Sequence, residues 1–80
     1  MTTMHFGSVA ARNFYPVDGP PTIEFAESGE EFADLLVANG DLVVRIYPEK
    51  ELKQISLQDF VQALQWARNE LVGREADEHR

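Results

Sequence analysis

The sequence contains no cysteine. This absence excludes disulfide bonds, thiolate metal sites and cysteine nucleophiles, and it fits a cytoplasmic protein. No apolar run approaches the roughly 18 residues that a membrane-spanning helix needs, and residues 1–9 lack the basic start and apolar stretch of a secretory signal. We therefore expect a soluble, cytoplasmic protein that has no contact with a membrane.

Positive charge is missing from a long part of the chain. No Lys or Arg lies between Arg12 and Arg45, and we call this stretch the acidic window because it holds seven acidic residues: Asp18, Glu24, Glu27, Glu30, Glu31, Asp34 and Asp41. The seven other acidic residues balance the seven basic ones, so the net charge of −7 arises within the window. Such a surface repels phosphate backbones, so we expect no direct nucleic-acid binding and a protein partner with a basic surface.

Patterns that indicate catalysis or cofactor binding are scarce. The glycines are isolated, so there is no phosphate-binding loop, and the carboxylates do not have the spacing of a calcium loop. His5 and His79 lie near opposite ends of the chain, and Ser28 and Ser56 are expected to cap helices, which leaves no Ser–His–Asp arrangement. An 80-residue domain also has little room for a substrate pocket. We predict no enzyme, no metal site and no cofactor.

The last helix has the strongest sequence signal. Ser56 is a candidate N-cap, Asp59 follows it as a variant of the capping box, and Ile55 and Phe60 form a plausible hydrophobic staple. Apolar residues then recur every three or four positions, which predicts a helix of about 16 residues that ends at Gly73. The sequence therefore predicts one domain over residues 1–73 and a flexible polar tail over residues 74–80.

A second helix is predicted inside the acidic window. Ser28 and Glu31 have the spacing of a capping box, and the inward stripe is Phe32, Leu35 and Leu36. Asn39-Gly40 supplies residues that tolerate the left-handed backbone at a helix end. Strands are predicted over residues 22–26, 42–47 and 52–55, the last two as a hairpin, and with less support over residues 4–15.

These elements give an α+β fold in the order β-β-α-β-β-α, with an antiparallel or mixed sheet packed against two helices. On the best strand, Leu42, Val44 and Ile46 share one face, and we expect that face to point at the helices. A register slip of one residue would instead turn Val43 and Tyr47 inward.

Trp66 falls on the polar side of the predicted last helix. At 100° per residue it lies roughly 160° from the centre of the apolar stripe, beside Asp59, Gln62 and Glu70. An exposed Trp in that setting would be an anchor for a partner, because Trp is enriched at interface hot spots. The alternative is that the N-terminal segment covers the ring, since small domains bury their large aromatic residues.

The acidic residues of the window have three open interpretations: a solvated face that aids solubility, a docking site for a basic partner, or mimicry of a nucleic-acid backbone. The candidate partner-binding residues are Glu24, Glu27, Glu30, Glu31, Asp34 and Trp66.

The leading hypothesis is a small non-enzymatic protein-binding domain that acts as an inhibitor, an antitoxin-like protein or an adaptor on a larger macromolecular target. By type, such small acidic chains are often encoded by phages or other mobile elements. The alternative is a structural or assembly subunit that self-associates or joins a larger complex. A nucleic-acid mimic and a small enzyme are the weaker candidates.

Overall fold

Five antiparallel strands precede one helix in the computed structural model, which describes residues 3–49 and 52–78 of the chain. The sheet order β1-β2-β3-β4-β5 follows the chain, so every neighbouring pair is joined in sequence and β1 and β5 are the two edges. The elements are β1 Thr3–Phe6, β2 Val9–Phe14, β3 Thr22–Glu27, β4 Glu30–Ala38, β5 Asp41–Ile46 and α1 Leu57–Glu78.

The predicted order β-β-α-β-β-α is wrong, because the segment predicted as the first helix is β4. Ser28-Gly29 and Asn39-Gly40 form the two-residue turns on either side of β4, and all four residues have positive φ, as type I′ hairpin turns require. The capping-box spacing and the left-handed pair therefore belong to two hairpins rather than to the ends of a helix.

The predicted hairpin of residues 42–47 and 52–55 is also wrong. Residues 52–56 have no regular secondary structure, and residues 50 and 51 lie outside the described part of the chain. The segment instead crosses the end of the sheet: Lys53 lies over the Phe32 ring at 5.9 Å, and Ile55 packs against the core. It thus carries the chain from β5 to the start of α1. The ambiguous first stretch is two strands joined by a tight turn at Gly7-Ser8.

The core lies between α1 and one face of the sheet, which we call the helix-side face. Phe25 is fully buried there, and its ring meets Phe60 of the helix edge-on, with 5.5 Å between the ring centroids. The register shifts between Phe25 and Ala26, which leaves Phe32 without a partner on β3, and Phe32 packs on Phe60 as well. Ala63 and Ala67 are fully buried, so the helix lies close to the strands along small side chains.

The start of α1 is fixed at Ser56 and Asp59. The Asp59 backbone N–H donates to Ser56 Oγ at 3.3 Å, which confirms the predicted N-cap. The Asp59 carboxylate, however, accepts hydrogen bonds from both the backbone N–H and the hydroxyl of Ser8, at 3.0 Å each. A Cβ atom on Gly7, which has a φ of +60°, would clash with this carboxylate, so a larger residue there would displace Asp59 from Ser8.

The helix does not end at Gly73 as predicted but continues to Glu78. Residues 79 and 80 of the predicted tail lie outside the described part of the chain. No helix among the described residues is long and apolar enough to cross a membrane.

Candidate functional site

A row of charged residues crosses the sheet on the face that points away from α1, which we call the open face. Arg12, Glu24, Asp34 and Arg45 are direct neighbours on β2, β3, β4 and β5. The two arginines are the residues that bound the acidic window in the sequence, and each faces an acidic neighbour. Opposite charges at neighbouring positions stabilise a sheet, and here they offset the like charges of Glu24 and Asp34.

Arg12 connects two acidic residues of the open face. Its Nη2 atom lies 2.6 Å from Glu24 Oε1 and 3.1 Å from Glu31 Oε1. Burial raises the pKa of Glu31, the adjacent Glu24 raises it further, and the charge of Arg12 lowers it. The two carboxylates are therefore held close together by one shared guanidinium.

Asp34 is buried at the centre of a cluster with Arg45 and Tyr47, which we call the Asp34 cluster. Its two carboxylate oxygens accept hydrogen bonds from Nε and Nη2 of Arg45, at 2.7 Å each, and the Tyr47 hydroxyl donates to Oδ2 at 2.8 Å. Burial alone would raise the pKa of Asp34, but the hydrogen bonds from Arg45 and Tyr47 outweigh it, and the pKa is lowered. Asp34 thus stays ionised inside the structure, where only 3% of its surface is exposed.

Tyr47 gives this cluster a measurable pH dependence. Burial and the bond to Asp34 raise its pKa from 10.0 to about 12. Because the folded pKa exceeds the unfolded one, the stabilisation is complete below pH ~10 and is lost as the pH rises towards 12. In a Tyr15→Phe background Tyr47 is the only tyrosine left. We expect its tyrosinate absorbance to appear only well above pH ~10, together with a fall in the urea midpoint. If the tyrosinate absorbance of the folded chain instead had its titration midpoint near pH ~10, the hydrogen bond from Tyr47 to Asp34 would be contradicted.

The remaining candidate acids lie at the β3–β4 hairpin. Lys53 Nζ lies 3.8 Å from Glu27 and 3.5 Å from Glu30. Every acidic residue proposed as partner-binding therefore has a basic side chain of the same chain within ion-pair distance. The acidic window has no basic residue in the sequence, but in the structure five of its acidic residues share three basic partners from outside it.

Trp66 is half-buried at the flank of α1 that lies beside β1. Its ring is tilted against Phe6, with 6.1 Å between the ring centroids, and it packs against the edge of the core. The buried stripe of the helix is rotated towards Trp66 relative to the predicted one, because Ala63 and Ala67 are buried whereas Leu57 is exposed. Trp66 is thus separated from the acidic candidates, which lie on the open face and at a hairpin.

Shallow concavities are present on the open face. One of about 330 Å³ lies between the residue 14–20 loop and the Asp34 cluster, and one of about 200 Å³ lies beside Arg12. Among the described residues no group of three His, Asp or Glu is arranged to hold a metal ion.

The helix-side face is only partly covered. Leu42, Val44 and Ile46 of β5 point to this face, as expected, because they pair with the buried or half-buried Val37, Leu35 and Ala33 of β4. The expected cover is missing: their exposed fractions are 39%, 42% and 71%. On α1, the flank opposite Trp66 carries Leu57, Val61 and Leu64, by helical geometry. We call these six residues the apolar surface.

Sequence reasoning did not identify the apolar surface as functional. It assigned the three β5 residues to the core, because a second helix was expected to cover them. The signal was present in the alternation of β5, but its meaning depended on how many helices the fold contains. No family model, curated protein or solved structure matches this chain.

Proposed function

We propose that the chain is a small non-enzymatic protein-interaction domain that binds its partner through the apolar surface. The observation that carries this proposal is the exposure of three neighbouring apolar side chains of β5 on the face that elsewhere forms the core. Soluble monomers rarely leave a contiguous apolar patch of this kind, and such patches mark interaction sites.

The backbone of β5 supports the same proposal. The backbone N–H of Tyr47 donates to the carbonyl of Phe32 on β4. Hydrogen-bonded pairs alternate along an antiparallel ladder, so residues 45, 43 and 41 of β5 also bond to β4. The alternate residues Leu42, Val44 and Ile46 therefore direct their N–H and C=O groups to the outer edge. An edge strand with outward hydrogen-bonding groups and apolar side chains is well suited to bind a second protein.

The charged residues of the open face contribute less to the proposed binding than the apolar surface does. Glu24, Glu31 and Asp34 already bind Arg12 or Arg45, and separating these pairs would oppose docking of a basic partner. Their field would still speed the approach of a basic protein, and salt would weaken that effect. The mechanism that fits an inhibitor or an adaptor is steric: the bound domain covers a surface of its target or bridges two proteins.

A matched pair of substitutions tests the proposal. Val44→Glu places a charge in the apolar surface, and Val17→Glu makes the same change in a loop where the side chain is 98% exposed. Tagged wild-type and variant chains are used to capture proteins from a lysate of the source cells at low and high salt. We expect a protein captured by the wild type and by Val17→Glu, retained at high salt and lost with Val44→Glu.

Two results would contradict the proposal. Identical capture by all three chains would show that the apolar surface does not bind. Capture that survives Val44→Glu but disappears at high salt would instead assign binding to the acidic residues.

A further inference from the structure

The sheet is wide enough for two helices but carries one. Five strands about 4.8 Å apart span about 19 Å, and helices packed side by side lie about 8–10 Å apart. α1 packs on β1, β2, β3 and β4, with Trp66 over the β1 side. The side chains of β5 remain exposed, so a second helix position beside α1 is vacant.

The outer face of α1 has an unusual composition for a chain with 14 acidic residues. Between Leu57 and Gly73 the exposed positions include one charged residue, Arg68, and the rest are Leu57, Gln58, Val61, Gln62, Gln65, Asn69, Val72 and Gly73. A helix that faces water throughout normally carries many charges, whereas interface centres are depleted of them. Val61, Gln65 and Val72 form an outer stripe on the side away from the sheet, and Arg68 is the one charged residue within it.

We propose that the partner is a second copy of this chain, related by a twofold axis, with α1 of each copy lying in the vacant helix position over β5 of the other. This inference rests on the proposed function and names its partner. The arrangement is self-complementary: the outer stripe of one helix covers Leu42, Val44 and Ile46 of the other copy, and the Leu57–Leu64 flanks of the two helices meet at the axis.

Charge distribution favours a second copy over a basic partner at this surface. The ion-paired acids lie on the open face and at the β3–β4 hairpin, whereas the apolar surface is on the helix-side face. Two copies that meet by their helix-side faces keep Glu24, Glu31 and Asp34 on the outside, while Glu27 and Glu30 remain at the hairpin beside Lys53. This arrangement limits the repulsion between two chains of charge −7. A basic partner would find one acidic residue beside the apolar surface, Glu49, which lines the adjoining depression together with Lys53.

The contact would involve a large part of a small chain. Each helix would meet the other helix and three strand side chains of the other copy, and a specific interface needs at least about 600 Å² per copy. The vacant position also extends to a depression of about 230 Å³ that Ile46 lines with Phe32, Ile55 and Phe60. A side chain of the second copy can enter it.

Sedimentation over a wide concentration range tests the inference. We expect reversible dimers of twice the 9.1 kDa chain mass. Val44→Glu and Val61→Glu should each weaken the dimer at least about tenfold, and Val17→Glu should leave it unchanged. Helical circular dichroism and Trp66 fluorescence identify any variant that has failed to fold.

Cysteine cross-linking keeps the inference testable if a glutamate variant does not fold. The chain has no native cysteine. A mixture of Val44→Cys and Val61→Cys chains should form a mixed disulfide, because Val61 of one copy lies over β5 of the other. Val44→Cys chains that cross-link mainly with themselves would instead show edge-to-edge pairing of β5 and overturn the proposed arrangement.

The outcomes separate this inference from the proposed function. If the wild-type chain is monomeric at every concentration, the partner is not a second copy. If another protein is then captured by the wild type but not by Val44→Glu, the proposed interaction domain is still supported. A dimer that neither glutamate variant weakens overturns the inference as well.

Discussion

Replacing Phe25 by alanine is expected to destabilise the folded chain by about 4 kcal/mol. The side chain is fully buried, is the largest of the fully buried ones, and contacts Phe60 of α1 edge-on. Its removal leaves a cavity at the point where the sheet and the helix meet. A domain of this size has a total stability of about 4–12 kcal/mol, so the variant should lose between about a third and all of it.

Phe14→Ala is the matched control for this prediction. Phe14 lies on the neighbouring strand β2, but its side chain is 41% exposed on the open face. The same truncation should cost about 1–2 kcal/mol there, because only part of the side chain is buried. Urea unfolding monitored by the fluorescence of Trp66, the only tryptophan, measures both. Equal losses would show that α1 does not pack over Phe25.

Local sequence signals were sufficient for several elements. The alternation in residues 22–26 and the β-branched run at 42–47 predicted β3 and β5 within one residue at each end. The start of α1 was also predicted correctly, because the N-cap and the following apolar residues lie next to one another in the chain. In each case the deciding interactions are between near neighbours.

β4 could not be recognised in the same way because it is buried on both faces. Phe32, Ala33 and Leu35 pack under α1, whereas Asp34 and Leu36 are buried on the open face. A strand buried on both sides does not alternate, and Phe32, Leu35 and Leu36 then have the spacing of a helix stripe. The bulge at Phe32 removes the remaining period-two pattern. Only the turn pairs at each end could have indicated two hairpins.

The candidate sites depended on this error. If the chain between Ser28 and Asn39 formed a helix, Glu30, Glu31 and Asp34 would lie on an exposed acidic face, and the β5 side chains would be covered. In the sheet, strand pairing brings Arg12 and Arg45 to the acids from 12 and 11 residues away in sequence. Register, which the sequence does not specify by itself, decides which charges meet and which apolar residues remain exposed.

Asp34→Ala is expected to destabilise the chain by about 3 kcal/mol, more than any other change on the open face. The substitution removes the three hydrogen bonds from Arg45 and Tyr47 and leaves the Tyr47 hydroxyl without its acceptor. Glu30→Ala is the control, because Glu30 is exposed and its pair with Lys53 is 3.5 Å long. That pair should contribute less than about 0.5 kcal/mol.

The pH dependence distinguishes loss of the Asp34 charge from loss of packing. The folded pKa of Asp34 lies below the unfolded one, so its contribution is complete above pH ~4 and is lost as the pH falls through the folded pKa. The difference in unfolding free energy between wild type and Asp34→Asn, a near-isosteric change, should therefore be largest near neutral pH and shrink in acid. A difference that stays constant down to pH ~2 would show that the carboxylate charge does not stabilise the sheet. In that case, the contribution of Asp34 to stability would come from its packing and not from its charge.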